Sequence, residues 1–190
     1  MTEGAFEGLP RGVARVPAPV RALANRSLRA FGMATADLRA RPDFLLIGAK
    51  RAGTTTLYHA LVRHPDVAIL FPRPANIKSP HYLDLEHARG SRWYRSHFPL
   101  LRPPGLSRPV AGDADPYALY HPVAPRWAHE EAPDARILVL LRDPVERAFS
   151  HWWDRTKAGI ETLPFADAIA AEEERLAGGE ERLLADPETP

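Results

Sequence analysis

The chain of 190 residues contains no cysteine, which excludes a disulfide framework and a thiolate-bound metal site. Its apolar runs are no longer than a strand, so the sequence predicts no integral membrane segment. No apolar core of a signal peptide follows Met1. Together these absences favour a location in the reducing cytoplasm.

The chain also has little net charge, because 25 lysines and arginines face 24 acids, for a net charge of +1. This balance argues against binding of a nucleic acid by the whole molecule. The charges are unevenly placed: residues 161–190 hold nine acids and two arginines, whereas residues 42–160 hold sixteen basic and twelve acidic groups. A mildly basic centre fits an anionic ligand held there.

The first 41 residues predict a basic N-terminal tail or lead-in helix, and residues 42–190 predict one domain. A weak amphipathic pattern runs from Val20 to Arg41, with a thin apolar face and no tryptophan. We therefore expect a helix packed on the edge of the domain rather than a helix on a membrane surface.

Strand, turn, helix and strand follow one another at the start of the domain, which predicts a parallel α/β sheet. The first strand covers residues 44–47, the helix runs from 54 to about 63, and the second strand covers 67–71. Further expected elements are a helical piece near 91–98, a turn at 112–116, a strand at 135–141, and helices at 144–159 and 165–176. Of Trp152 and Trp153, at least one is expected in the core.

The turn after the first strand predicts a site for a phosphate or a close relative. Gly48 and Gly53 allow a tight turn and a close approach of the backbone to a ligand. Lys50 and Arg51 add positive charge, and residues 54–56 are threonines whose N–H groups begin a helix. Free N–H groups and the helix dipole both favour an anion at this end.

A second anion site is predicted after the strand at 135–141. Arg142 follows this strand directly and can bind a phosphate through two hydrogen bonds. Ser150 lies a little over two helical turns further on, so it can face the same point. Asp143 and Glu146 have the spacing of a capping box, with Pro144 in the first turn.

Two other chemistries fit less well. The spacing of Gly48 and Gly53 matches a Walker A loop, but Thr54 stands where that loop has its lysine, which disfavours a P-loop kinase or ATPase. Asp113 and Asp115 could suggest a metal site, but the sequence shows no third carboxylate or histidine in register. We therefore expect Asp115 to cap a helical stretch that includes Tyr117 and Tyr120, and expect no metal.

The two predicted anion sites resemble those of the sulfotransferases that use 3′-phosphoadenosine 5′-phosphosulfate (PAPS), especially the heparan-sulfate type and its bacterial relatives. Residues 46–58 with 64–66 resemble the 5′-phosphosulfate loop, and residues 136–150 resemble the 3′-phosphate motif. Residues 77–82 and 112–117 fall where that family has its intervening segments. The resemblance covers roughly 43–170 and implies a P-loop-like three-layer sandwich with a central parallel sheet, here incomplete at the C-terminus.

What the resemblance implies is transfer of a sulfuryl group from PAPS to a hydroxyl or amine of a carbohydrate or small-molecule acceptor, without a metal. The resemblance implies Lys50 and Arg51 as catalytic residues, and the sequence itself adds His81 as a candidate base. The implied PAPS-binding residues are Lys50, Arg51, Ala52, Gly53, Thr54, Thr55, Thr56, Arg142 and Ser150.

The chain departs from the family pattern at three places. Arg51 stands where the family has its catalytic lysine, and Ser79 stands near the position of the heparan-type glutamate base. His81 is the base that the sequence offers instead. The family domain continues beyond the position of Pro190, so a truncated, non-catalytic remnant that binds PAPS or its 3′,5′-bisphosphate product (PAP) is the alternative.

Overall fold

The computed structural model describes residues 18–72, 77–103 and 107–188. Residues 1–17 of the predicted N-terminal tail lie outside this part, as do residues 73–76, 104–106 and 189–190. Within the described ranges, no helix is both long and apolar enough to cross a membrane.

The described chain alternates short strands with helices. The strands are β1 (Phe44–Gly48), β2 (Gly112–Asp113) and β3 (Arg136–Val139). The helices are α1 (Ala18–Ala34), α2 (Thr54–Leu61), α3 (Ser91–Arg95), α4 (Ala124–Glu131), α5 (Pro144–Lys157), α6 (Phe165–Ala170), α7 (Glu172–Leu176) and α8 (Gly179–Ala185). Single 3₁₀ turns lie at Ala36–Leu38 and His87–Arg89.

The strands form a parallel sheet in the order β2-β1-β3, which confirms the predicted α/β class. Successive side chains of β1 enter two different apolar clusters: Leu45 packs with Leu70 and Phe98, whereas Leu46 packs with Tyr58. Both faces of the central strand are therefore covered, as expected of a sandwich in which a sheet lies between two layers.

The second strand of the sheet was predicted at the wrong place. Residues 67–71 do not form a strand; only Val67 pairs with Val110, and the N–H of Phe71 bonds to the carbonyl of His97, away from the sheet. Pro72 then removes a donor and prevents extension. The neighbour of β1 is instead β2, at two residues that were predicted to be part of a turn.

The C-terminal helices also differ from the prediction. The single helix expected over 165–176 is divided at Ala171 into α6 and α7. Three glutamates occupy the first turn of α7, where the helix dipole favours negative charge, so a new start at this point is physically reasonable. Neither α4 nor α8 was predicted; Gly178, at φ 66°, begins the second of them.

Helix α5 lies at the surface, so the prediction of a core tryptophan on it is wrong. No residue of α5 is buried, and the side chain of Trp153 is 47% exposed. Trp152 donates from Nε1 to the carbonyl of Leu163 at 2.9 Å and packs edge-on against Phe165 of α6. Its aromatic partners are Phe149 and Trp153 of α5 and Phe165 of α6, none of which belongs to the two apolar clusters of the sheet.

Helix α1 packs on the domain through arginine and aromatic side chains. Phe31 contacts Phe71 edge-on at 6.3 Å between ring centroids, and Arg29 hydrogen-bonds to the hydroxyl of Ser96. Just after the helix, Arg39 is buried and donates to the carbonyl of Phe98 at 2.6 Å.

Candidate anion-binding site

The turn between β1 and α2 places the first helical turn of α2 beside two cations. Gly53 stands immediately before α2 with φ 97°, a conformation that side-chain-bearing residues rarely adopt. The N–H groups of residues 54–56 belong to the first turn, where a helix provides no carbonyl partner. Because α2 starts here, these groups can donate to an anion in front of the helix.

Arg51 connects this turn to helix α5. It too has a positive φ, 68°, and its side chain crosses to α5. Its Nε donates to Oγ of Ser150 at 3.2 Å, and its Nη1 donates to Oδ1 of Asp154 at 3.1 Å. The two predicted anion sites therefore meet in one place.

Arg142, which lies between β3 and α5, is held by a carboxylate of α5. Its Nε and Nη2 donate to Oε2 of Glu146 at 3.1 and 3.0 Å. Asp143 caps α5 as predicted, since its Oδ1 accepts from the N–H groups of Val145 and Glu146 at 3.0 Å each. The expected capping box is only half formed, because the side chain of Glu146 pairs with Arg142 rather than with the backbone of Asp143.

Tyr117 and Lys78, which the sequence did not single out as site residues, also face this turn. The ammonium of Lys50 hydrogen-bonds to the hydroxyl of Tyr117 and lies 4.1 Å from the centre of its ring. Lys78 donates to Oγ1 of Thr55 at 3.3 Å. Burial lowers the pKa of Lys78, although the nearby carboxyls of Asp115 and Asp113 oppose this.

These groups line one open cavity of about 400 Å³, which we call the anion cavity. Its lining consists of Lys50, Arg51, Gly53, Thr54, Thr55, Thr56, Lys78, His81, Pro116, Tyr117, Arg142 and Ser150. Of the residues expected to bind the ligand, Ala52 alone is not in this lining. Its N–H closes a turn by donating to the carbonyl of Ala49 at 3.0 Å.

His81 enters the anion cavity with a buried carboxylate behind it. Its backbone has φ 59°, and its Nδ1 lies 3.0 Å from Oδ2 of Asp84 and 3.9 Å from Oδ1 of Asp115. The hydrogen bond to Asp84 is the main cause of a raised pKa of His81. With Nδ1 turned to Asp84, Nε2 is the ring nitrogen that remains for a ligand.

The carboxylates around His81 are almost completely buried. Burial, followed by the charges of Asp113 and Asp84, raises the pKa of Asp115 to about 8. Burial also raises the pKa of Asp113 to about 6, although a hydrogen bond from Tyr94 at 3.0 Å opposes this. The Oδ1 of Asp115 accepts from the N–H of Tyr117 at 3.2 Å, but residues 116–120 form turns rather than the predicted helical stretch.

The fold supplies the histidine and the further carboxylate that the sequence argument about a metal site lacked. One ligand atom each from His81, Asp84 and Asp115 lies within 4.8 Å of the other two, so this group could hold a metal ion. The hydrogen bond between His81 and Asp84 at 3.0 Å allows a second role, in which His81 acts as a base and Asp84 orients its ring. The sequence signal that could have identified Asp84 as a partner of His81 is its position three residues after that histidine.

No protein-family model matches the chain. Among curated proteins, it is 35% identical over 165 residues to mouse heparan sulfate glucosamine 3-O-sulfotransferase 6, covering 83% of this chain and 45% of that protein. It is 30% identical over 118 residues to human bifunctional heparan sulfate N-deacetylase/N-sulfotransferase 3, covering 62% of this chain and 13% of that protein. The chain thus spans less than half the length of these relatives.

Among solved structures, the fold is similar to that of a sulfotransferase from Alicyclobacillus acidocaldarius. The TM-score is 0.56 at 28% sequence identity, and the match covers 73% of this chain and 59% of that one.

Proposed function

The chain belongs to the sulfotransferase family, and we propose that it transfers a sulfuryl group from PAPS to a hydroxyl or amine of a carbohydrate or small-molecule acceptor. The observation that carries this proposal is the contact of Arg51 with Ser150 at 3.2 Å, which unites two anion-binding ends in one cavity. One end suits the 5′-phosphosulfate, and the other suits the 3′-phosphate.

The residues of the anion cavity fit such a ligand. Lys50, Arg51 and Lys78 provide positive charge around the first turn of α2, and its N–H groups point to the same space. Arg142 and Ser150 provide a guanidinium and a hydroxyl at the other end. The lining contains donors and no carboxylate, as a ligand with two anionic groups requires.

PAPS supplies the activated sulfuryl group, which is bound to the 5′-phosphate through a bridging oxygen. His81 accepts the acceptor's proton at Nε2, while its Nδ1 stays on Asp84. The acceptor oxygen or nitrogen then bonds to sulfur, the bond from sulfur to the bridging oxygen breaks, and that oxygen leaves with PAP. The proton ends on His81, whose imidazolium is stabilised by Asp84.

Lys50 and Arg51 have their role at the leaving side of this reaction. Negative charge grows on the bridging oxygen as the bond to sulfur breaks, and cations held in place lower the energy of that charge. Arg51 keeps its charge throughout, so it stabilises the leaving phosphate without donating a proton to it. The contacts of Arg51 with Ser150 and Asp154 hold its guanidinium in position before the ligand arrives.

The acceptor and the location belong to the same proposal. Both mammalian relatives carry heparan sulfate in their names, which supports a carbohydrate among the possible acceptors. The absence of cysteine supports work in the cytoplasm. The bacterial structural relative supports an enzyme of bacterial type.

The proposal is tested with two measurements on the 190-residue chain. Calorimetric titration with PAP should show binding, and ³⁵S-labelled PAPS should transfer label to members of a panel of alcohols, phenols, amines and oligosaccharides. Binding without transfer to any acceptor would favour the non-catalytic remnant. Absence of PAP binding would overturn the site itself.

A further inference from the structure

A second cavity of about 350 Å³ lies beside the anion cavity, between the turn at residues 117–121 and helices α7 and α8. We call it the apolar pocket. Its apolar lining consists of Leu85, Tyr117, Tyr120, Leu176 and Leu183. Concave sites of this size and character are typical of small-molecule binding.

The apolar pocket and the anion cavity share a wall. Tyr117 lines both of them, with Lys50 against its ring on the side of the anion cavity. The hydrogen-bonded pair of His81 and Asp84 also spans the wall, since His81 lines the anion cavity and Asp84 lines the apolar pocket. A molecule in the apolar pocket is therefore adjacent to the proposed base and to the proposed donor site.

The outer wall of the pocket is fixed to the body of the protein. After α8, the carbonyl of Pro187 accepts a hydrogen bond from Nε2 of His121 at 2.7 Å. The side chain of Glu188 accepts from the N–H of Ala88. These contacts hold α8 against the turn that carries Tyr117 and Tyr120, so the pocket exists without a ligand.

The charges of the pocket do not suit a polyanionic chain. Its two arginines already have partners: Arg175 donates to Oε2 of Glu161 at 2.6 Å, and Arg182 donates to the carbonyl of Ala177 at 3.0 Å. The carboxylate of Asp84 is part of the lining and opposes an anionic ligand placed next to it. Apart from His121, whose Nε2 is bonded to the carbonyl of Pro187, and Gly179, the remaining surface consists of leucine side chains and two tyrosine rings, which favour an apolar ring.

We propose that the apolar pocket binds the acceptor, and that the acceptor is a small, uncharged alcohol or phenol with an apolar ring system. This proposal rests on the proposed function and specifies its substrate class. The ring lies against Tyr117, Tyr120 and the leucines of α7 and α8. The hydroxyl extends past Tyr117 into the anion cavity, which His81 lines. A long sulfated saccharide would use little of this surface.

The experiment uses 2-naphthol as the probe, with equilibrium dialysis for binding and ³⁵S transfer from PAPS for turnover. Leu183→Asp places a carboxylate in the pocket, and Leu184→Asp places one on the neighbouring residue, which is 56% exposed and outside the lining. We expect Leu183→Asp to raise the Kd and KM for 2-naphthol at least tenfold. Leu184→Asp should change neither value by more than about twofold, and both variants should keep the PAP affinity of the native chain.

Dialysis without PAPS separates this proposal from the proposed function, because binding of 2-naphthol needs no donor. Loss of PAP binding alone would reject the donor site and leave the pocket supported. The pocket proposal is overturned if 2-naphthol does not bind, or if Leu183→Asp and Leu184→Asp behave alike. It is also overturned if a heparan sulfate oligosaccharide is sulfated with a KM unaffected by Leu183→Asp.

Discussion

The guanidinium of Arg51 donates to the hydroxyl of Ser150 at 3.2 Å, joining a loop residue to a helix residue 99 positions later. The contact brings the turn after β1 to the helix after β3. These strands are neighbours in a parallel sheet, so their carboxyl ends lie at the same edge. The anion cavity is a consequence of this pairing.

Removing the Arg51 side chain should impair both binding and catalysis. Arg51→Ala removes a cation and the contact with Ser150, and we expect PAP affinity to fall about tenfold or more and kcat to fall about 10²-fold or more. Arg51→Lys keeps the charge and should retain a larger share of kcat. Isothermal calorimetry with PAP and ³⁵S transfer measure the two effects.

The matched control for this series is Arg63→Ala, at an exposed arginine just after α2 and outside the anion cavity. It should leave both PAP affinity and kcat within about twofold of the native values. Equal losses in Arg51→Ala and Arg63→Ala would mean that general charge, not a placed guanidinium, attracts the ligand.

Glu146 occupies the guanidinium of Arg142 that we propose for the 3′-phosphate. The pair is partly exposed, so it is weak enough for a ligand to displace. Glu146→Gln should therefore increase the affinity for PAP about two- to fivefold without changing that for AMP, which lacks the 3′-phosphate. Arg142→Ala should lower the affinity for PAP about tenfold or more and again leave AMP unchanged.

Arg126 and Glu130 on α4 provide the control, because they form an exposed pair with the same spacing, away from the cavity. Glu130→Gln should have no effect on either nucleotide. If Glu146→Gln increased the affinities for AMP and PAP equally, Arg142 would not be the ligand of the 3′-phosphate.

The pH dependence of turnover should report His81 and its partner Asp84. The base acts when neutral, so kcat should rise with pH through the pKa of His81, which Asp84 raises above the ordinary 6.5. Asp84→Asn removes the main cause of that shift, and the rising limb should move to lower pH. Its plateau should fall about tenfold, because the ring loses its orienting hydrogen bond to the carboxylate.

Two further observations bear on this assignment. His81→Ala should abolish the limb while PAP affinity is kept, and unchanged circular dichroism would exclude misfolding in either variant. Activity lost on treatment with a chelator, with recovery on adding a divalent ion, would instead make His81, Asp84 and Asp115 a metal site. A limb that does not move in Asp84→Asn would reject His81 as the base.

The sequence predicted the elements whose signals are local. The apolar run of β1, the glycines around Lys50 and Arg51, and the aspartate cap of α5 each act within a few residues. Strand β2 could not be predicted in this way, because two residues, Gly112 and Asp113, have no periodicity. They become a strand only through pairing with β1.

The same limit applies to the site. The place of Tyr117 and Asp84 at the site follows from the fold, which brings the turn at 117–121 and the segment after His81 to the turn after β1. The predicted capping box was half wrong because Glu146 had a stronger charged partner in Arg142 than the backbone N–H offered. Competition of this kind depends on where side chains point, which spacing alone does not determine.

Asp115 should make folding stability depend on pH. Its pKa is raised from 3.8 to about 8 in the folded protein, so folding requires this carboxyl to hold a proton over that interval. Its contribution is therefore fully present below pH 3.8 and is lost as pH rises toward 8. Asp115→Asn is uncharged at every pH and should lack this loss, so it should become more stable relative to the native chain as pH rises from about 4 to 8.

Urea unfolding at a series of pH values measures this difference, which should exceed about 1 kcal/mol between the two ends of the range. Asp134→Asn, at an exposed aspartate before β3, serves as the control and should follow the native curve. Parallel curves for the native chain and Asp115→Asn would show that Asp115 is ionised in the folded protein. His81 would then face one more negative charge, which would raise its pKa further. The rising limb of kcat would therefore lie at a still higher pH.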